Sequence, residues 1–327
     1  MNNLTKIIAL TYEDPLSYIE LGYSAEECLD FPSDGEIQAI CEELEQLGHT
    51  VTKVPGIEAL VAHLANGDGS RWDLAFNMAE GFHGSAREAQ VPGLLEAYQI
   101  PYTFSDAHTT TLCQDKQRTK IVLQHYDIPT APFFLVEANE EGVDFSKFGA
   151  VGLSYPLFAK PVSEGTSKGI NSTNKANCPE ELVALVRRLR AKFRNQGILI
   201  EPFLPGREIT VSILGTGSHS RVIGATEWAW LTETGETDRT LSGQYASDCA
   251  STNSMDEIIT PDWKGRTHGR DSADMQVQAA YKVALDTWKV LRCRDAGRVD
   301  TRFDTLQVDA AVKVLEASVS SDLEYRQ

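Results

Sequence analysis

A chain of 327 residues is longer than one typical hydrophobic core, so two or three domains are expected. Its 42% hydrophobic and 24% charged residues are those of a globular, soluble protein rather than a disordered or fibrous one. A net charge of −17 argues against a nonspecific nucleic-acid binder, and any anionic ligand would need local positive charge and a metal against that field.

Residues 6–11 read as a buried first strand. Residues 34–47 carry Ile37, Ile40, Leu44 and Leu47 near helical spacing, with Gly48 as the stop. A strand at 50–54, a short helix at 57–64, a turn at 66–70 and a strand at 72–77 follow. Alternation of strand and helix implies an open parallel sheet, whose strand C-terminal edges are where ligands bind. Residues 87–96 read as a helix, 100–106 close the first domain, and 109–126 read as one helix carrying Asp115, Lys116 and Lys120. A strand is expected at 129–136, an acidic exposed stretch at 137–142, and a basic amphipathic helix at 179–194. Residues 198–214 read as two strands joined by a Pro205-Gly206 turn. Residues 232–270 are polar with little apolar periodicity and are expected to form a long, mobile lid loop. A helix at 272–291, a strand at 297–304 and its hairpin partner at 311–318 complete the chain.

Six cysteines, at 28, 41, 113, 178, 249 and 293, show no paired spacing, so reduced thiols are expected rather than a zinc or disulfide framework. No apolar run approaches the roughly 18 residues of a membrane span and no N-terminal signal is present. A cytoplasmic protein with no membrane or nucleic-acid partner is expected.

The most informative stretch is 155–170. An apolar strand fragment meets Lys160 and then enters Glu164-Gly-Thr166-Ser167-Lys168-Gly169. Glycine lets backbone N–H groups close on phosphate oxygens, and an ammonium at the strand end can reach the same phosphates. Alone, such a loop is equally a charged surface turn, and Lys116 alone a solvated helix face.

Several such pieces occur in order: Asp115-Lys116, Lys160 before the glycine loop, Glu201 with Pro205-Gly-Arg-Glu208, and Arg298-Val-Asp300 followed by Leu315-Glu316. Together they resemble the ATP-grasp superfamily and, within it, the D-alanine–D-alanine ligase family. Ser24-Ala-Glu26, Phe76-Asn77 before Glu80-Gly81, and residues 100–105 resemble that family's first domain. The likeness covers about residues 5–304.

The resemblance implies an α/β (α+β) ATP-grasp fold of three domains. These are an open parallel N-terminal domain over 1–107, a central subdomain over 108–195, and a C-terminal subdomain over 196–327 holding the metal strands and the lid. It implies a ligase that uses ATP and Mg²⁺ (Mn²⁺ as a substitute), joins two amino acids through an acyl phosphate, and forms a homodimer. Positioning and charge neutralisation dominate such chemistry. Lys116 and Lys160 would hold phosphates, and Glu164, Thr166 and Ser167 lie in the loop covering them. Glu201, Phe203 and Leu204 form the adenine hinge, and Glu208 would accept from the ribose. Asp300, Glu316 and Ser318 would be the metal ligands. Arg298 would neutralise the acyl phosphate, Glu26 would hold the first substrate's ammonium, and Ser167 stands beside both as a catalytic candidate.

The match departs from the family at the acceptor side. Ser318 stands where the family has asparagine, the sequence after 317 loses the likeness, and Tyr245 is the nearest counterpart to the tyrosine of the family's lid. Three readings follow: a D-alanine–D-alanine ligase-like enzyme; a related ligase using serine, threonine or glycine with a small acid in a natural-product pathway such as mycosporine-like amino acid synthesis; or an ATP-binding relative with impaired catalysis.

Overall fold

The computed structural model describes residues 5–140, 142–165, 168–170, 172–193, 196–231, 237–238 and 263–320. The chain divides into two compact units. One is Met1–Thr111 with Cys293–Gly297 and Val319–Gln327; the other is Leu112–Arg292 with Arg298–Ser318.

The first unit opens with β1 (Ile7–Tyr12), α1 (Pro15–Glu20), α2 (Asp34–Gln46), β2 (Thr50–Pro55), α3 (Gly56–Ala65), β3 (Leu74–Asn77) and α4 (Gln90–Ala97). The sheet is parallel with order β2-β1-β3, as strand–helix alternation predicts. Successive side chains of a strand point to opposite faces. Ala9 therefore enters a core with Leu60, Leu64, Trp72 and Leu95, whereas Leu10 packs with Ile37, Cys41 and Met78 beneath α2. Helix α2 starts in a capping box, in which Ser33 accepts from Glu36 N and the Glu36 carboxylate accepts from Ser33 N. The later segments of this unit are tied in by Arg294 N donating to Ser105 Oγ (3.0 Å) and Phe104 N to Asp295 Oδ2 (2.9 Å).

Helix α5 (Ala107–Gln114) spans the division, and α6 (Lys116–His125) follows it directly. The single helix expected over 109–126 is therefore two. Asp115 leaves helical conformation and its carboxylate accepts from Arg118 N at 3.0 Å, capping α6, while Lys116 N donates to Val162 O. A short carboxylate competing for backbone donors ends one helix and starts the next.

The second unit continues with β4 (Phe134–Val136), α7 (Phe148–Val151), β5 (Leu157–Pro161), β6 (Lys175–Ala176), α8 (Pro179–Lys192) and β7 (Ile198–Pro202). Only the end of the 129–136 segment is strand; Pro129 and Pro132 lack the donors a longer ladder needs. Strands β4-β7-β5-β6 form an antiparallel sheet, covered by Leu182, Leu185, Val186 and Leu189 of α8. Then come β8 (Glu208–Leu214), β9 (Arg221–Leu231), β10 (Thr237–Asp238), β11 (Trp263–Gly269), α9 (Met275–Val290), β12 (Ala296–Phe303) and β13 (Val312–Ser318). They form a six-stranded sheet of order β10-β9-β8-β12-β13, with β11 also on β9.

The Pro205-Gly206 turn connects two sheets rather than closing a hairpin, since β7 and β8 belong to different ones. A Cβ on Gly206 would lie 2.4 Å from Thr305 O and 2.5 Å from Phe303 O, so the turn is pressed against the β12 end. The expected loop over 232–270 also differs. Residues 263–269 are strand, paired residue by residue with 224–230, because β9 offers an unpaired backbone edge that polar composition does not abolish. Residues 239–262, Tyr245 among them, lie outside the described residues.

Candidate functional site

Three charged side chains are buried together in the second unit. Phe158 of β5 is directly opposite Glu201 of β7, and Lys160 is opposite Leu199. Period-two alternation then puts Lys160 and Glu201 on the same face, one step apart. Lys160 Nζ lies 3.0 Å from Glu201 Oε2. Lys120 of α6 approaches from the other side, with Nζ 2.5 Å from Glu201 Oε1. Lys120 and Lys160 are each 1% exposed and Glu201 4%. Burial would raise the Glu201 pKa, but the two ammonium groups outweigh it and hold the carboxyl below its ordinary value. Lys160 is likewise opposed by burial and held above the usual lysine range by Glu201 and Glu316. For Lys120 burial wins over Glu201, and the repulsion of Lys160 lowers it further.

Lys116, one turn before Lys120 on α6, donates to Glu164 O at 2.5 Å and pairs with Glu316 Oε2 at 2.9 Å. It ties the loop after β5 to β13. Glu164 itself accepts from Gln196 Nε2 and lies 3.8 Å from Lys168. Thr166 and Ser167 lie outside the described residues.

The hairpin expected near the C-terminus is present. Asp300 is opposite Glu316 and Arg298 opposite Ser318, so all four belong to one face of the β12–β13 pair. Arg298 Nε is 3.4 Å from Asp300 Oδ2. Asp300 Oδ1 is buried with no hydrogen-bond partner among the described residues. Burial pushes the Asp300 pKa up to about 7, with Arg298 opposing and Glu316 adding to the rise. Glu316 is shifted down, because Lys116 and Lys160 overcome the cost of its burial. No group of three or more His, Cys, Asp or Glu side chains is arranged for a metal among the described residues. The Asp300–Glu316 pair nevertheless fits a hard cation: an orphaned carboxylate oxygen and two like charges are what such an ion satisfies.

Glu208, at the start of β8, pairs with Arg302 at 2.6 Å. Arg302 and Lys175 both stand over the Phe203 ring, at 5.7 and 4.4 Å from its centroid. Phe203 N donates to Pro156 O, and Leu204 packs with Ala131 and Leu315. Lys160, Glu201, Phe203, Leu204 and Arg302 are among the walls of one cavity.

The second unit thus assembles Lys116, Lys160, Glu164, Glu201, Phe203, Leu204, Glu208, Arg298, Asp300, Glu316 and Ser318. Glu26 belongs to the first unit and is exposed, in a turn over 25–30 that buries Cys28. Sequence reading places Lys120 on a helix without a role, and does not single out Lys175, Gln196 or Arg302. For Lys120 the available signal was its i,i+4 spacing from Lys116 and i−3 spacing from Leu123, which places both lysines toward the buried side. The partners of Lys175 and Arg302 come from distant strands and leave no local signature.

A family model described as the D-ala D-ala ligase C-terminus matches residues 122–238. The D-alanine–D-alanine ligase of Erythrobacter litoralis is 28% identical over 285 residues, covering 86% of this chain and 76% of the relative. That of Sphingopyxis alaskensis is 28% identical over 302 residues, covering 91% and 84%. Among solved structures, D-alanine–D-alanine ligase from Bacillus anthracis complexed with ATP superposes with a TM-score of 0.67 at 18% identity, covering 96% of this chain and 86% of that one. With the ordered lysine and carboxylate positions in one unit, the chain is similar in sequence over most of its length to D-alanine–D-alanine ligases, and shares its fold with solved structures of that name.

Proposed function

We propose that the protein is an ATP-dependent carboxylate–amine ligase that joins two amino acids or amino-acid-like compounds. The observation that carries this reading is the convergence in one unit of Lys116, Lys160 and the Asp300–Glu316 pair around the Glu201 hinge. The γ-phosphoryl group passes from ATP to a substrate carboxylate oxygen, releasing ADP. The amine of the second substrate then attacks the acyl carbon, loses a proton and expels phosphate. Lys116 and Lys160 hold phosphate oxygens, and the loop carrying Glu164, Thr166 and Ser167 covers them. The 201–204 segment faces the adenine, Glu208 the ribose and Arg298 the acyl phosphate, while Glu26 takes the first ammonium. Asp300 and Glu316, with Ser318 beside them, would hold Mg²⁺ or Mn²⁺, which when bound neutralises phosphate charge. Excess negative charge disfavours nucleic acid as a partner, and cysteines without paired spacing suit the cytoplasm. A homodimer, and domains over 1–107, 108–195 and 196–327, complete the proposal.

The test is ADP and phosphate release with ATP, Mg²⁺ and a panel of D- and L-amino acids. D-alanine-dependent release supports the D-alanine–D-alanine ligase reading; release with serine, threonine or glycine and a small acid supports a changed substrate. No amino-acid-dependent release across the panel refutes a ligase. A second reading, ATP binding without turnover, is favoured by one residue: a serine hydroxyl at 318 is a poorer metal ligand than an amide oxygen. It predicts an ATP-induced rise in melting temperature without product.

A further inference from the structure

Helix α6 buries two lysines with different surroundings. The ammonium of Lys120 lies against Glu201 Oε1 (2.5 Å), Thr130 Oγ1 (2.6 Å) and Ala131 O (3.4 Å). Two of its hydrogen bonds go to Thr130 and Ala131, and its charge faces the Glu201 carboxylate as an ion pair. Thr130 in turn donates to Val314 O at 3.0 Å, which anchors the arrangement on β13. Lys120 is not among the cavity walls, whereas Lys160 and Glu201 are.

Charge counting then becomes informative. The neighbouring carboxylates have cations of their own: Glu316 has Lys116 at 2.9 Å and Glu208 has Arg302 at 2.6 Å. What remains is two ammonium groups sharing the single carboxylate of Glu201. With Lys120 present this trio carries one net positive charge next to the cavity. Without it, Lys160 and Glu201 would close on each other as a neutral pair, and the Lys160 charge would no longer be left over for an incoming anion.

We propose that Lys120 is a positioning residue which, by neutralising Glu201, keeps the Lys160 ammonium available to nucleotide phosphates it never touches itself. The proposal rests on ATP being the ligand. The test measures Kd for Mg-ATP and for adenosine on the full chain, in wild type, Lys120→Met and Lys120→Met/Glu201→Gln. Adenosine lacks phosphates, so the ratio of the two constants isolates the phosphate contribution from damage to the adenine side.

Losing one charge-assisted contact should lower that preference for ATP about ten- to a hundredfold in Lys120→Met. The double variant removes the carboxylate as well as the ammonium and should return the preference to within about threefold of wild type, as expected of restored charge balance. A purely structural role would weaken ATP and adenosine together and would not be rescued. An unchanged preference in folded Lys120→Met, as if Lys120 were neutral, overturns the proposal. So does a folded double variant that fails to recover, even where Lys120→Met alone does not fold. Wild type that binds no ATP overturns the ligase reading and this proposal with it; wild type that binds ATP, with an unaffected Lys120→Met, overturns this proposal alone.

Discussion

Replacing Glu13 by glutamine should make the protein more stable at alkaline pH. Glu13 follows β1, is 1% exposed, and accepts from Glu80 N at 2.7 Å. Burial pushes its pKa up from an ordinary 4.5 to about 7, with the backbone hydrogen bonds from Glu80 and Gly81 opposing. An acid whose folded pKa is raised favours the folded state while protonated. That stability is complete below about pH 4.5 and is lost as pH rises through about 7. At roughly 1.36 kcal/mol per pH unit, the interval from pH 5.5 to the folded value spans about 2 kcal/mol, and the whole shift about 3 kcal/mol as an upper bound. Glutamine keeps the shape and an oxygen acceptor but never ionises. Urea midpoints of both proteins at pH 5.5, 7 and 8.5 give the comparison. Groups that titrate equally in both cancel in the difference. The variant should gain about 2 kcal/mol on wild type between pH 5.5 and 8.5. Stability profiles that stay parallel across this range would show that the Glu13 carboxyl ionises in the folded protein as easily as in the unfolded chain, and would refute the argument.

Three further outcomes are expected. Lys160→Met should keep the fold, since Glu201 retains Lys120, and weaken ATP binding about ten- to a hundredfold; unchanged affinity in a folded variant removes the phosphate role of this lysine. Ser318→Asn should lower the Mg²⁺ concentration at which ATP-induced thermal stabilisation is half-maximal, because β13 runs through Ser318 and places it beside the Asp300–Glu316 pair; superimposable magnesium titrations would exclude position 318 from the metal site. Gly206→Ala should destabilise by about 1–3 kcal/mol, because its methyl meets backbone oxygens of Phe303 and Thr305 that cannot swing aside; a urea midpoint equivalent to less than about 0.5 kcal/mol of change would mean that the turn can shift.

Local pattern was enough for much of the molecule. The strand–helix alternation of the first unit, the extent of α2 from Asp34 towards Gly48, and the placing of Lys160 at a strand end before a glycine loop are all written in short-range spacing. So is the shared face of Asp300 and Arg298, because period-two alternation needs no partner strand. The family resemblance likewise came from residue types in order, which survive where overall identity is low.

Tertiary structure decided what spacing cannot express. Whether Asp115 would interrupt a helix depended on its carboxylate finding Arg118 N while Lys116 N found Val162 O, 46 residues away. Polar residues 263–269 became a strand because the edge of β9 was there to pair with. Above all, Lys120, Lys160 and Glu201 belong to three separate elements, and nothing in any one of them indicates that two lysines share one carboxylate. Sheet register and helix docking set that juxtaposition. Its charge balance is a property of side chains brought together from 120, 160 and 201, which local sequence rules cannot add up.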